Sequence, residues 1–262
     1  MKLRTVLSVA LLITIAGLPA TDAAAAQFKP TEAEVLRDDV IAKTVAWRTK
    51  SAETTLKKGT KYEQSQPYLT AEAFLMATYS LGQNENFVLK GLAILDKQAK
   101  RDPKDFVAEF YRGEVLRWLD RRDDAKAAWQ KALNKATAAV EENGRNCTAH
   151  YYRGAALVRM KKADEARRAL KKAAKTDFDP VMVDFQIGMT YIIDQNWKAA
   201  RDAFDDVHEM DPRYAHLYFF RGIAWEKIGR KDALLYDLGQ FVKLAPNSPE
   251  AKQARAILAS VR

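Results

Sequence analysis

The chain has 262 residues, 48% of them hydrophobic, and carries 43 Lys and Arg against 34 Asp and Glu, a formal net charge of +9. That content is ample for a buried core, and only 11 glycines and 8 prolines among many Ala, Leu, Lys and Arg favour helix throughout. The single cysteine excludes an internal disulfide; the basic excess is a long-range bias toward acidic proteins, anionic envelope polymers or lipid headgroups, and nothing more specific.

At the start, Lys2 and Arg4 precede an apolar stretch from Val6 to Leu18 and then Ala24, Ala25 and Ala26. That order predicts a cleavable secretory signal peptide over 1–26, with an apolar run too short for an ordinary membrane span. No cysteine stands at the end of the run, so a lipoprotein anchor is not expected, and no other segment reads as a span. Cleavage would remove Lys2, Arg4 and Asp22 and leave a charge of +8. The expected address is a bacterial periplasm, where nucleic acid is not an expected partner. Residues 27–71 read as an N-terminal helical segment. An extended Gln27 to Pro30 leads into one amphipathic helix from Thr31 to about Leu56, with Thr31 and Glu34 as a capping box. Lys57 to Gln66, polar and holding Gly59, reads as a loop.

Beyond it, Tyr79 and Gly113 stand 34 residues apart; after a slip of seven, Gly154, Gly188 and Gly222 restore the interval. Twelve residues after these anchors come Gly91, Ala125, Ala166, Ala200 and Leu234; sixteen after come Leu95, Trp129, Leu170, Phe204 and Leu238. Pro103, Pro212 and Pro246 stand twenty-four after three of them. A small residue lets two paired helices approach while the bulky one fills the groove beside it, and proline ends the second helix. On these residues the chain resembles the tetratricopeptide-repeat (TPR) family over 72–248. The resemblance implies an all-α, right-handed α-solenoid of about five helix–turn–helix repeats, at 72–105, 106–139, 147–180, 181–214 and 215–248. The N-terminal helix precedes them, and a capping helix at 249–262 follows.

Some positions depart from the family's pattern. Glu109, His150 and Asp184 occupy a place where it favours a bulky apolar residue, Tyr79 replaces the first glycine, and the third unit has its proline late, as Asp179-Pro180. The slip at 140–146 extends the second helix of its unit until Gly144 stops it. At the end, Ser248, Pro249 and Glu250 read as a helix start. Ala254, Ile257, Leu258 and Val261 of that helix would cover the last repeat.

In a solenoid of this kind the first helix of each pair lines the concave face. The resemblance therefore points to a protein-binding groove made by Phe110, Glu114, Arg117, Trp118, Tyr151, Arg159, Phe185, Met189, Phe219 and Ile223. The four aromatics at one repeat position admit two readings: packing inside the repeats, or anchors for an amphipathic helix or extended peptide. A third reading places the chain's own helix 31–56 in the groove. The lysine and asparagine with which co-chaperone members of the family grip a terminal carboxylate are absent. Lys161, Lys162, Arg167, Arg168, Lys171, Lys172 and Lys175 form a basic run, either a solvated convex face or a surface for an acidic partner or an anionic membrane.

No HExxH, CxxC, phosphate-cradling glycine loop or glycine-flanked serine occurs. Cys147 and His150 are spaced to meet on a helix, but nothing near them in sequence supplies an orienting group. Catalytic residues, cofactors and metals are accordingly not expected. The expected function is a non-enzymatic scaffold or adaptor of the bacterial cell envelope that binds a partner helix or peptide. Self-assembly, and thiol hydrolysis by Cys147, are the alternatives.

Overall fold

The structure, a computed structural model, describes residues 29–81, 84–176 and 178–260. The signal peptide expected at 1–26 lies outside them, as do Gln83, Val261 and Arg262. The described residues form thirteen α-helices: α1 (Glu32–Val45), α2 (Thr49–Lys58), α3 (Gln66–Tyr79), α4 (Glu85–Arg101), α5 (Phe106–Trp118), α6 (Arg122–Glu142), α7 (Cys147–Arg159), α8 (Ala163–Ala174), α9 (Pro180–Ile193), α10 (Trp197–Met210), α11 (Ala215–Ile228), α12 (Lys231–Leu244) and α13 (Ala251–Ser260). They pack as sequential antiparallel pairs in a TPR-like solenoid. Successive first helices (α3, α5, α7, α9, α11) also touch one another, which the second helices do to a lesser degree, so the first helices line the inner face.

The helix starts are written locally. Asp105, Asn146, Asp179 and Asn196 each accept a hydrogen bond from a backbone N–H in the first turn of α5, α7, α9 and α10. Pro180 takes the first position of α9, where its missing donor costs nothing. Amphipathicity then pairs the helices. In α8, for example, Ala163, Ala166, Ala169, Leu170 and Ala173 are buried, and Arg168, Lys171 and Lys172 face water.

Close approach within a pair rests on absent side chains. A Cβ on Gly113 would lie 2.4 Å from the Trp129 indole, one on Gly154 2.6 Å from Leu170, and one on Gly188 2.5 Å from Phe204. At Gly91 the obstacle is the backbone itself: Ala73 O at 2.6 Å. Around Gly222 the nearest atom is at 3.5 Å. Gly91→Ala is therefore expected to destabilise, since overpacking of about 1–3 kcal/mol outweighs the gain in helix propensity. Gly222→Ala is expected to stabilise by up to about 1 kcal/mol. Urea midpoints moving in opposite directions would bear this out; a shared direction would refute it.

Three expectations need correction. The helix expected from Thr31 to Leu56 is two helices, broken where Trp47 adopts a left-handed conformation with φ 62°. Asp120, Lys161 and Gln195 hold the same conformation at the turns of later pairs, and Gly229 ends α11 with φ 90°. The α1–α2 turn is thus built like those inside the repeats, and α1–α2 is a further pair. Each non-glycine turn carries about 1 kcal/mol of strain that glycine avoids. The second correction concerns the first repeat. α3 begins at Gln66, inside the segment read as loop and ahead of the expected boundary at 72. Tyr79 is its last residue and is 51% exposed. Ala73, eight residues past the cap Ser65, occupies the place that Gly113 holds eight past Asp105. Third, Ser248 does not cap the last helix: α13 begins at Ala251, and the Ser248 hydroxyl is buried without a partner.

Candidate protein-interaction groove

A cavity of about 680 Å³ opens on the concave face. Eight of the ten groove residues line it: Phe110, Glu114, Arg117 and Trp118 from α5, Tyr151 and Arg159 from α7, and Phe185 and Met189 from α9. Phe219 and Ile223 of α11 do not. Phe219 is buried against Phe241 and Phe220, at ring centroid distances of 5.1 and 5.3 Å, and Ile223 packs on the same cluster. One turn of register explains the exchange, because His216 and Phe220 of α11 face the cavity instead.

The four aromatics at one repeat position are all buried, and their rings pack mainly within their own repeats, the first of the two readings. Tyr151 stacks on Phe178 at 4.3 Å, Phe110 meets Tyr111 and Tyr152 edge-on, and Phe185 lies 4.8 Å from Tyr214. The apolar surface left for a ligand comes from half-buried neighbours, chiefly Trp118, Met189 and Ile193. Phe74 and Thr78 of α3 add to the wall, and Phe74 stacks on Trp118 at 5.6 Å. The 34-residue phase hid these two, because it put the first anchor on Tyr79 when Ala73 holds that place.

The chain's own N-terminal pair enters the same space. Thr44, Val45 and Trp47 line the cavity, although most of α1–α2 packs on α3 rather than along the groove. Pro249 and Glu250, just before α13, line the cavity as well.

A charged pair marks the floor. Arg159 donates through Nε and Nη2 to the two carboxylate oxygens of Glu114, at 2.8 and 3.0 Å, and reaches Gln186 Oε1 at 3.4 Å. Burial alone would raise the Glu114 carboxyl, but Arg159 and the nearby Arg117 outweigh it and hold the group below its ordinary value of 4.5. A depressed folded pKa gives stability that is fully present above about pH 4.5 and is lost as pH falls through the folded value. Glu114→Gln is therefore expected to be less stable near neutrality and to lose less on acidification, read from urea midpoints at a series of pH values. Elsewhere on the wall, His216 Nε2 stands 3.5 Å from Glu250 Oε2. Burial opposes the Glu250 charge, yet His216 and Arg117 bring its pKa down to about 2. Arg117 and Lys161 are exposed at the rim with no ion-pair partner among the described residues.

The spacing of Cys147 and His150 does not become a catalytic pair. His150 Nε2 is 2.9 Å from the Gly144 carbonyl, fastening the seven-residue extension, and its Nδ1 is buried without a partner. Burial also pushes the Cys147 thiol up, away from the thiolate a nucleophile requires. In the basic run, Arg167 is paired with Asp164 and Asp194 and Lys162 with Glu165, while Arg168, Lys171, Lys172 and Lys175 are exposed on the outer face of α8.

No protein-family model matches the sequence, and no curated protein matches it. Solved structures do. A thermophilic TPR protein of Thermus thermophilus is similar with a TM-score of 0.52 and 16% identity, over 67% of this chain and 90% of that one. A chain of the APC/C hetero-tetramer Cut9–Hcn1 is similar with a TM-score of 0.51 and 13% identity. The match covers 85% of this chain and 41% of that one, so this chain spans under half of that protein's length. At such identities the likeness shows the fold, an all-α TPR-like solenoid.

Proposed function

We propose that this chain is a non-enzymatic scaffold that binds an apolar segment of another protein, a peptide or an amphipathic helix, in its concave cavity. The observation that carries the reading is the cavity itself: about 680 Å³ of space on the inner face, walled by Trp118, Met189 and Ile193. Such a pocket accepts one or two anchoring side chains, and the rim cations Arg117 and Lys161 favour an acidic flank on the partner. With the leader expected at 1–26, the partner belongs to a bacterial cell envelope.

The test is a photo-crosslinking amino acid at Met189 in cells, with a second placed at the exposed Tyr236 on the outer surface. A discrete adduct from the inner position only, diminished by Trp118→Ala, supports the reading. Identical adducts from both positions, or none from Met189, would count decisively against it. Fractionation that leaves the protein in the cytoplasm would remove the envelope part alone.

A further inference from the structure

The corner between α1 and α2 bridges to the last repeats through Val45, which packs on their core cluster, and the three residues after it. Ala46 is only 1% exposed and belongs to the core cluster of the last repeats, with Phe185, Leu217 and Phe219. The Trp47 ring meets His216 edge-on, with centroids 5.6 Å apart. Arg48 Nη2 lies 3.0 Å from Asp211 Oδ2, in the turn between α10 and α11. Elsewhere the N-terminal pair packs on α3, and no extensive helix–helix contact among the described residues joins it to α11. The bridge is therefore narrow, and one of its elements is a part-exposed ion pair that salt weakens.

Its position matters more than its size. Trp47 lines the same cavity as Trp118, and its partner His216 also faces Glu250. A left-handed turn would be relaxed by glycine, yet an indole occupies it, and that indole packs against both halves of the core.

We propose that the Val45–Arg48 corner is a latch: it closes the solenoid over the concave cavity, and its release opens the cavity to a partner. The proposal rests on the cavity being the partner site, but the motion is measurable without any partner. The two states differ by the contacts of Val45, Ala46, Trp47 and Arg48 with the last repeats, while the packing of α1–α2 on α3 persists in both. Releasing the corner turns a closed clamp into an open arc and exposes Phe185 and His216 on its inner side.

The experiment measures the distance between spin labels at two exposed positions flanking the bridge, Lys50→Cys and Arg213→Cys, in full-length protein carrying Cys147→Ser. With the corner unaltered, one short, narrow distribution is expected. Arg48→Glu, which sets like charges against each other, should add a longer population, and Asp211→Arg in the same chain should restore the short one. Trp47→Gly, which keeps the turn and removes the indole, should also lengthen the distance. Binding of the apolar dye bis-ANS should rise severalfold in both opened variants, with helix content by circular dichroism unchanged. Short, narrow distributions in both variants would overturn the latch, as would a broad one in the unaltered corner. If Trp47→Gly fails to fold, the Arg48/Asp211 reversal decides alone. A captured partner with unmoved labels sinks the latch only; moving labels with no partner captured at Met189 sink the binding reading only.

Discussion

Phe204→Ala is expected to lower the unfolding free energy by about 3–5 kcal/mol, a loss at the upper end for a core truncation. The ring is fully buried and fills the crevice that Gly188 opens between α9 and α10. Phe185 and Phe220 border it, at 5.7 and 6.3 Å between ring centroids. None of these can close the gap, because both helices are held apart by their neighbours in the stack. In a solenoid the damage is local, so hydrogen exchange should accelerate first in α9 and α10, with α5 to α7 keeping their protection. Tyr236→Ala, at a ring 63% exposed, should move the urea midpoint by less than about 0.5 kcal/mol equivalent. Similar losses at the two positions would contradict the packing described.

Asp237→Ala should be nearly as damaging, by a different route. Arg221 donates through Nε and Nη2 to both oxygens of Asp237, at 2.9 and 2.8 Å, and through Nη1 to Asp205 at 2.7 Å. The Asp237 side chain is 1% exposed. Removing it leaves a guanidinium buried between α11 and α12 with one part-exposed partner, which costs about 3 kcal/mol, the lower end for a broken buried pair. The discriminating measurement is the double variant Arg221→Met/Asp237→Leu, expected to regain most of that loss because no charge remains buried. A double variant as unstable as Asp237→Ala would show that the pair itself, and not the orphaned charge, carries the effect.

From α5 onward the sequence declares its architecture, because the demand is local and chemical. Where Gly113, Gly154 and Gly188 stand, a Cβ would collide with the bulky residue sixteen positions later, so phase and packing are the same fact. Before α5 the phase misleads. Tyr79 falls on the 34-residue interval by coincidence, while Ala73, small but not glycine, makes the close approach to Gly91. A shift of six residues turns a helix well away from its own face, which is why Phe74 and Thr78 escaped notice. The α1–α2 break had no sequence signal, since a tryptophan in the left-handed turn resembles neither glycine nor asparagine. His216 and Glu250 were hidden for another reason: they join the cavity because the α1–α2 corner meets α11 in space, which periodicity does not encode. The aromatic stripe is legible as a stripe, and its burial comes chiefly from rings of the same repeat, with Tyr152 and Phe220 of the next repeats adding to it.

The meeting of Trp47 with His216 also changes how such an array assembles. In an open stack nearly every contact joins residues close in sequence, so folding can begin at any repeat and spread. Here a few contacts link positions roughly 170 residues apart, and closing so long a loop becomes favourable only once the repeats between are in place. The corner is therefore the final structure to form, and folding should show a late step that tracks Trp47 burial, separate from the growth of helix.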